Sequence, residues 1–251
     1  MPSNPPMDLP IMEDRKPTLL DNVEHHDLRL IPGHAAAWGD AVNQVRVYPN
    51  EFAEVQREYP IFFRKDAQGS VYAVALLGFD RDENLFLDGN GWNARYVPAE
   101  RARGPFLLGF REGVDGDTPM VLIDPAHPRL SRTEGIPLFL PHGGNAPLLE
   151  QHIQILQALH NGLTINDDVF GAWIDAGLLA PVKVDIQIND DTGYDIPDLF
   201  SINAEALAHL DGAVLAGLNA RGYLGLAFQV LTSLANVQQL ISLKSRKLQG
   251  A

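Results

Sequence analysis

Residues 59–110 read YPIFFRKDAQGSVYAVALLGFDRDENLFLDGNGWNARYVPAERARGPFLLGF. Apolar, strand-forming runs alternate there with turn signals. Ile61 to Arg64 and Val71 to Gly78 predict a hairpin about Asp66-Ala67-Gln68-Gly69, whose glycine takes a positive φ without steric cost. Asn84 to Leu87 reads as a third strand, closed by the turn signal Asp88-Gly89-Asn90-Gly91. The expectation is an antiparallel meander. Trp92, Tyr96, Pro98, Arg101, Arg103, Pro105 and Phe106 then crowd the second half of the stretch.

Toward the N-terminus, Asn43 to Tyr48 alternates as a strand and Glu51 to Glu58 carries Phe52 and Val55 at helical spacing. Pro60 ends that helix, because the residue before a proline is pushed out of the α region. Asn22 to Ile31 holds a short strand in its second half. Toward the C-terminus, Gly109 to Asp117 reads as a loop, and Met120 to Asp124 and Ile136 to Leu140 as strands.

From Pro147 the hydrophobic period becomes helical. Leu148, Ile155, Leu156, Leu159 and Leu163 predict one helix with Gly162 as its C-cap, and Thr164 to Ala176 a second, stopped by Gly177. Leu179 to Asn189 sets Val182, Val184, Ile186 and Ile188 against Lys183, Asp185 and Gln187, the pattern of a half-buried strand, with Tyr194 to Phe200 as its partner. Helices over 201–210, 213–220 and 222–243 follow, the last a largely buried terminal helix with a basic final turn. The predicted fold is α+β: an arm over residues 1–20, then one domain over 21–251, β-rich over 21–141 and mainly helical over 142–251 with one further β-hairpin.

Composition narrows the function. The 251 residues carry a formal net charge of −13 with a pI of about 4.9. That disfavours a nucleic-acid partner, which selects clustered Lys and Arg, and an anionic membrane face. With no cysteine, neither a disulfide nor a thiolate ligand can form. The first twenty residues are rich in proline and acid and lack the basic and apolar regions of a secretory signal. The most apolar segment, Leu215 to Leu234, is interrupted by Asn219, Arg221 and Gln229, so no membrane insertion is expected. A cytoplasmic location follows as an expectation. No Gly-x-Ser-x-Gly elbow and no dinucleotide-binding glycine motif occurs.

Two constellations carry chemistry. Trp92, Tyr96, Arg103 and Phe106 follow a tight glycine turn; aromatic faces and a guanidinium fork are suited to lining a pocket for a small anionic or carbohydrate ligand. The opposing reading makes the aromatics core and the arginine an ion-pair partner. His25 and Asp27 form His-x-Asp, the near half of a two-histidine, one-carboxylate iron site, with His142 as a distal third ligand. His152 and His160 fit solvated helix positions better than ligands. Asp185, Asp190, Asp191 and Asp195 lack the spacing of a calcium loop and suit a polar hairpin tip.

The runs ALLGFDRDENLF, GWNARYVP and RARGPFLLGF resemble the SapC-like family of bacterial proteins, which is distinct from the peptide-transporter permease of the same name. The resemblance extends through Ile136 to Phe139 toward the C-terminal region. It departs at Gly104, where the family more often has a bulky residue before Pro-Phe. It implies no established activity. What it suggests is a non-enzymatic accessory or ligand-binding protein, linked to handling or sensing of nutrients imported through TonB-dependent receptors and needing no cofactor. The alternative is an oxygenase using Fe(II) with 2-oxoglutarate at His25, Asp27 and His142. A homodimer through the C-terminal helix is a further expectation, from its wide apolar face.

Overall fold

The computed structural model describes residues 16–111, 118–189 and 192–250. Its strands are β1 Thr18–Leu19, β2 Arg29–Leu30, β3 Gln44–Val47, β4 Ile61–Lys65, β5 Val71–Leu76, β6 Leu87–Asp88, β7 Gly91–Trp92, β8 Phe106–Arg111, β9 Thr118–Ile123, β10 Leu130–Ser131, β11 Ile136–Pro137, β12 Leu179–Asn189 and β13 Thr192–Ile202. Its α-helices are α1 Phe52–Val55, α2 Ala99–Ala102, α3 Pro147–Asp175, α4 Ala204–Ala208, α5 Gly212–Ala220, α6 Tyr223–Ser233 and α7 Val237–Gln249. Antiparallel sheets and separate helices make the chain α+β, as the sequence pattern predicts.

The chain forms two compact units that do not follow the division at residues 141 and 142. One takes in the chain through Pro32, Asp66–Ser70 and Arg103–Leu156; the other holds Gly33–Lys65, Val71–Ala102 and Gln157 onward.

The first unit contains two three-stranded sheets, β1-β9-β8 and β10-β2-β11. Thr18 and Leu19, expected in a loose arm, pair with Ile123 and Leu122 instead; residues 1–15 of that arm lie outside the described residues. β8 and β9 pair from Phe106↔Ile123 to Arg111↔Thr118, so the strand runs two residues past Gly109, where a loop was expected. Residues 112–117 of that loop lie outside the described residues. Leu30, Phe106, Ile123, Leu138 and Leu149 are its most buried apolar side chains. Gly135, at φ +92, lets the chain pass β2: a Cβ there would lie 2.4 Å from the Leu30 carbonyl oxygen.

The second unit is built on a five-stranded antiparallel sheet in the order β12-β13-β4-β5-β3. The β4–β5 hairpin forms as its sequence predicts, with the Asp66 carboxylate accepting from the Gln68 and Ser70 amides. The meander does not extend. β6 pairs only with β7, while β3 takes the free edge of β5 and β13 adjoins β4 through Phe200↔Phe63. Tyr59, Ile61, Phe63, Phe170, Trp173 and Leu178 form the centre of its core, with Phe63 edge-on to both Phe170 and Trp173.

A single helix replaces the two expected over 147–176. α3 runs unbroken for 29 residues, and Gly162 lies within it rather than at an end. Gly162 is where the helix meets the residues before α1. A Cβ there would stand 2.5 Å from Asn50 Oδ1 and 2.6 Å from Tyr48 Cβ. Asn50 Nδ2 donates to the Ala158 carbonyl at 2.8 Å, fixing the approach. Gly177, at φ +66, stops the helix as expected.

At the C-terminal end, α6 and α7 join through a 3-10 turn into one helical run, Tyr223–Gln249. By length and composition alone that run is long and apolar enough to cross a membrane, beyond what the interrupted segment 215–234 suggests. Ala227, Val230, Ser233, Leu240 and Lys244 are nevertheless buried, and Ser233 Oγ accepts from the Ile61 amide of β4. Phe228, by contrast, is 51% exposed. Lys244 does not serve the helix dipole as its basic neighbours suggest. Its ammonium donates to Asp80 and Glu83, and Lys247 adds a second bond to Glu83 at 2.8 Å.

Candidate ligand-binding site

The motif residues Tyr59, Trp92 and Tyr96 are organised by a buried carboxylate that sequence reasoning passes over. Glu51 ends the short 3-10 turn Pro49–Glu51 and is 7% exposed. One carboxylate oxygen accepts from the Tyr48 amide at 3.1 Å; the other accepts from the Tyr96 hydroxyl at 2.6 Å and the Ala99 amide at 3.0 Å. Burial pushes its carboxyl above the usual range, against the pull of these three donors. The neighbouring Tyr59 hydroxyl accepts from Trp92 Nε1 at 2.8 Å and donates to the Tyr96 carbonyl. Burial raises both phenols, and for Tyr96 the adjacent Glu51 raises it further. The signal available in sequence was the Glu51 position three residues after Tyr48, the spacing at which a glutamate reaches back to an unpaired turn amide.

A small cavity of about 140 Å³ opens beside this network, lined in part by Glu51, Glu54, Tyr96 and Leu159. Trp92 is not part of it; its ring meets His34 edge-on at 5.4 Å between centroids.

Arg103 and Phe106 belong to the first unit, whereas Trp92 and Tyr96 belong to the second. Arg103 Nη1 donates to the Phe106 carbonyl at 3.0 Å, bracing the entry to β8. The Phe106 ring is fully buried and lies 4.8 Å from the His152 ring, so it acts as core. Gly104 between them has φ +58, and a Cβ would stand 3.2 Å from Arg129 Nη1. Glycine at this position thus suits both the backbone conformation and the space.

His25, Asp27 and His142 are not gathered as three ligands. Asp27 is ion-paired with Arg132, and His25 Nδ1 faces the Asp21 carbonyl at 3.2 Å. Among the described residues, the group whose ligand atoms lie within 4.8 Å of one another is Asp21, Glu24 and His25, without Asp27 or His142. Asp190 and Asp191 of the expected hairpin tip lie outside the described residues. Asp185 is ion-paired with Lys183 at 3.2 Å.

The larger cavity, about 330 Å³ and open to solvent, lies within the first unit. Leu19 of β1 and Leu20 after it, Met120 and Val121 of β9, and Leu149 and Ile153 of α3 form its apolar walls with Phe139. The β1–β9 pairing and the Leu20 amide bond to the Val121 carbonyl, 2.9 Å, fix one wall. The Phe139–Asn145 bridge fixes another. Among the described residues its polar members are Arg111, at the end of β8, and Asn145, whose amide donates to Glu150 at 2.7 Å. Sequence reading named none of these residues as a site. Arg111 continues the strand that the RARGPFLLGF block opens, and that continuity was the available signal.

Fold and cavity define an α+β protein of antiparallel sheets and helices in which one unit carries a mainly apolar cavity open to solvent. The comparison with known families goes one step further. The SapC family matches residues 20–240, most of the chain, and the chain belongs to that family. No curated protein and no solved structure matches it.

Proposed function

We propose that this SapC-family protein is a non-enzymatic accessory protein that binds a small molecule in the cavity of its first unit. The carrying observation is the cavity itself: about 330 Å³, at the lower end of the roughly 300–1,000 Å³ range of small-molecule sites, and walled mainly by apolar side chains. Among the described residues, its lining holds no nucleophile and no side chain that could serve as a general acid or base near neutral pH. Tyr96 and Trp92 of the family motif are engaged elsewhere, in the bonds to Glu51 and Tyr59. This supports binding over turnover. A cytoplasmic role in handling imported nutrients is part of the same proposal and follows from the family resemblance.

The test is a thermal-shift screen of small organic molecules on the wild-type chain and on Met120→Trp, which fills the cavity. At a concentration of 100 times Kd a ligand stabilises by about 2.7 kcal/mol, so true ligands raise Tm by several degrees in the wild type and by much less in the variant. Hits that stabilise both proteins equally would remove the cavity as the binding site.

A further inference from the structure

We infer that the ligand of this cavity is a monocarboxylate with a short apolar body, an inference that rests on the cavity being a ligand site. Three observations select that chemistry. First, the charged residue of the lining among the described residues is Arg111, whose guanidinium is a planar fork that matches a carboxylate in two parallel hydrogen bonds. Second, the rest of the wall offers little to a polar ligand. Leu20, Met120, Phe139, Leu149 and Ile153 present hydrocarbon and a thioether, and the Asn145 amide is already given to Glu150. A sugar would leave most of its hydroxyls without partners there, at the cost that attends any buried unpaired polar group. Third, the guanidinium stands at an exposed strand end, while Leu149 is 1% and Phe139 7% exposed. Charge at the mouth and hydrocarbon at the wall orient an amphiphile with its head outward. The exposed Leu19, 42% accessible, extends the apolar surface at the cavity rim.

The charge of the molecule sharpens the selection. A chain with net charge −13 repels anions at long range. Glu150, bonded to Asn145, adds a carboxylate close to the lining. A dianion meets that repulsion twice for one guanidinium, whereas a monocarboxylate meets it once and recovers it in the fork. Cationic amphiphiles would set an ammonium against Arg111.

The experiment is calorimetric titration with three probes that share one apolar body: hexanoate, 1-hexanol and hexylamine. Glucose serves as the sugar probe. The expected order is hexanoate at least ten-fold tighter than hexanol, with hexylamine and glucose silent. Arg111→Gln lies at an exposed position, and it should bring hexanoate down to the affinity of hexanol without changing hexanol itself. Met120→Trp should abolish both; Ile153→Phe, a smaller change on the opposite wall, gives the same readout if the tryptophan variant does not fold. If hexanol and hexylamine bind as tightly as hexanoate and Arg111→Gln changes nothing, the cavity binds ligand but the carboxylate assignment is overturned. If glucose alone binds, and cavity filling removes it, the assignment is likewise overturned. If no probe binds at millimolar concentration, or if binding survives both filled cavities, the ligand-site reading falls with it.

Discussion

Glu51 accepts three hydrogen bonds while almost wholly withdrawn from water. All three donors lose this acceptor without it, the Ala99 amide in a buried setting, so Glu51→Ala should cost about 2 kcal/mol. Glu51→Gln is the more informative change. A carboxyl whose pKa is raised by folding contributes most below the ordinary carboxylate value of 4.5, and that contribution is lost as pH rises through the higher folded value. The glutamine cannot ionise. The stability difference between wild type and Glu51→Gln, from urea denaturation at a series of pH values, should therefore shift toward the variant as pH rises above 4.5. A difference independent of pH would show that Glu51 ionises in the folded chain as freely as in water. The candidate residues were only partly legible for the same reason. Trp92 and Tyr96 stand out by composition, and one of them does border a cavity. Glu51 is one carboxylate among 32 acidic residues until three donors are seen to converge on it. Arg111 looks like any strand-end arginine until β1 and α3 supply the opposite walls.

At the scale of elements, α3 shows where periodicity misleads. A glycine followed by Thr-Ile-Asn-Asp reads as one helix ending and another being capped. What the pattern cannot show is Tyr48 and Asn50 pressing against the helix at that turn, which makes glycine a requirement of contact rather than of termination. Alanine favours an isolated helix over glycine by about 1 kcal/mol. Here Gly162→Ala should instead destabilise by roughly 1–3 kcal/mol, because a methyl cannot fit without moving backbone; a rise in Tm would show that the crossing yields. The end of α7 carries the complementary case. Lys244 is 4% and Glu83 5% exposed, and replacing the lysine with methionine strands much of the carboxylate's charge. Burial alone would raise the Glu83 carboxyl, but the two lysines outweigh it and hold it below its ordinary value; their bonds and the carboxylates in turn raise Lys244 despite its burial. The signs set the window. Glu83 contributes above the ordinary carboxylate value of 4.5 and is lost as pH falls through its lowered one. Lys244 contributes below the ordinary lysine value of 10.5 and is lost only as pH rises through its raised one. Lys244→Met should cost about 3 kcal/mol at neutral pH, with a shallower loss of stability on acidification than the wild type.

For the whole molecule, the class of fold was readable because strand and helix periods are local properties: the β4–β5 and β12–β13 hairpins and the helical runs after Pro147 fall where their patterns put them. The grouping of segments was not, since each unit draws on three separated stretches of chain. β1 pairs with β9 across a hundred residues, and two-residue strands such as β2 and β10 have no period to read. The same long-range dependence governs the C-terminal helices. Ser233 satisfies the Ile61 amide inside the sheet, and Ala227, Val230 and Leu240 are fully buried. A chain ending at Leu210 should therefore lose cooperative unfolding and expose its sheet to dye binding. A truncated chain that kept the wild-type melting transition would mark Tyr223–Gln249 as a detachable appendage instead of a part of the fold.

The five-stranded sheet ends on β12, eleven residues long, whose outer side pairs with no strand among the described residues. Such an edge is a template: any extended chain that met it could add as a sixth strand and present a fresh edge to the next. Two features of β12 interrupt that relay. Pro181 has no amide to give an incoming strand, and Lys183 with Asp185, both exposed and paired to each other, sets a hydrated charge pair on one face of that edge. Residues within the strand's own pattern thus also disfavour recruitment of others, and edge-to-edge growth from β12 is opposed by its sequence.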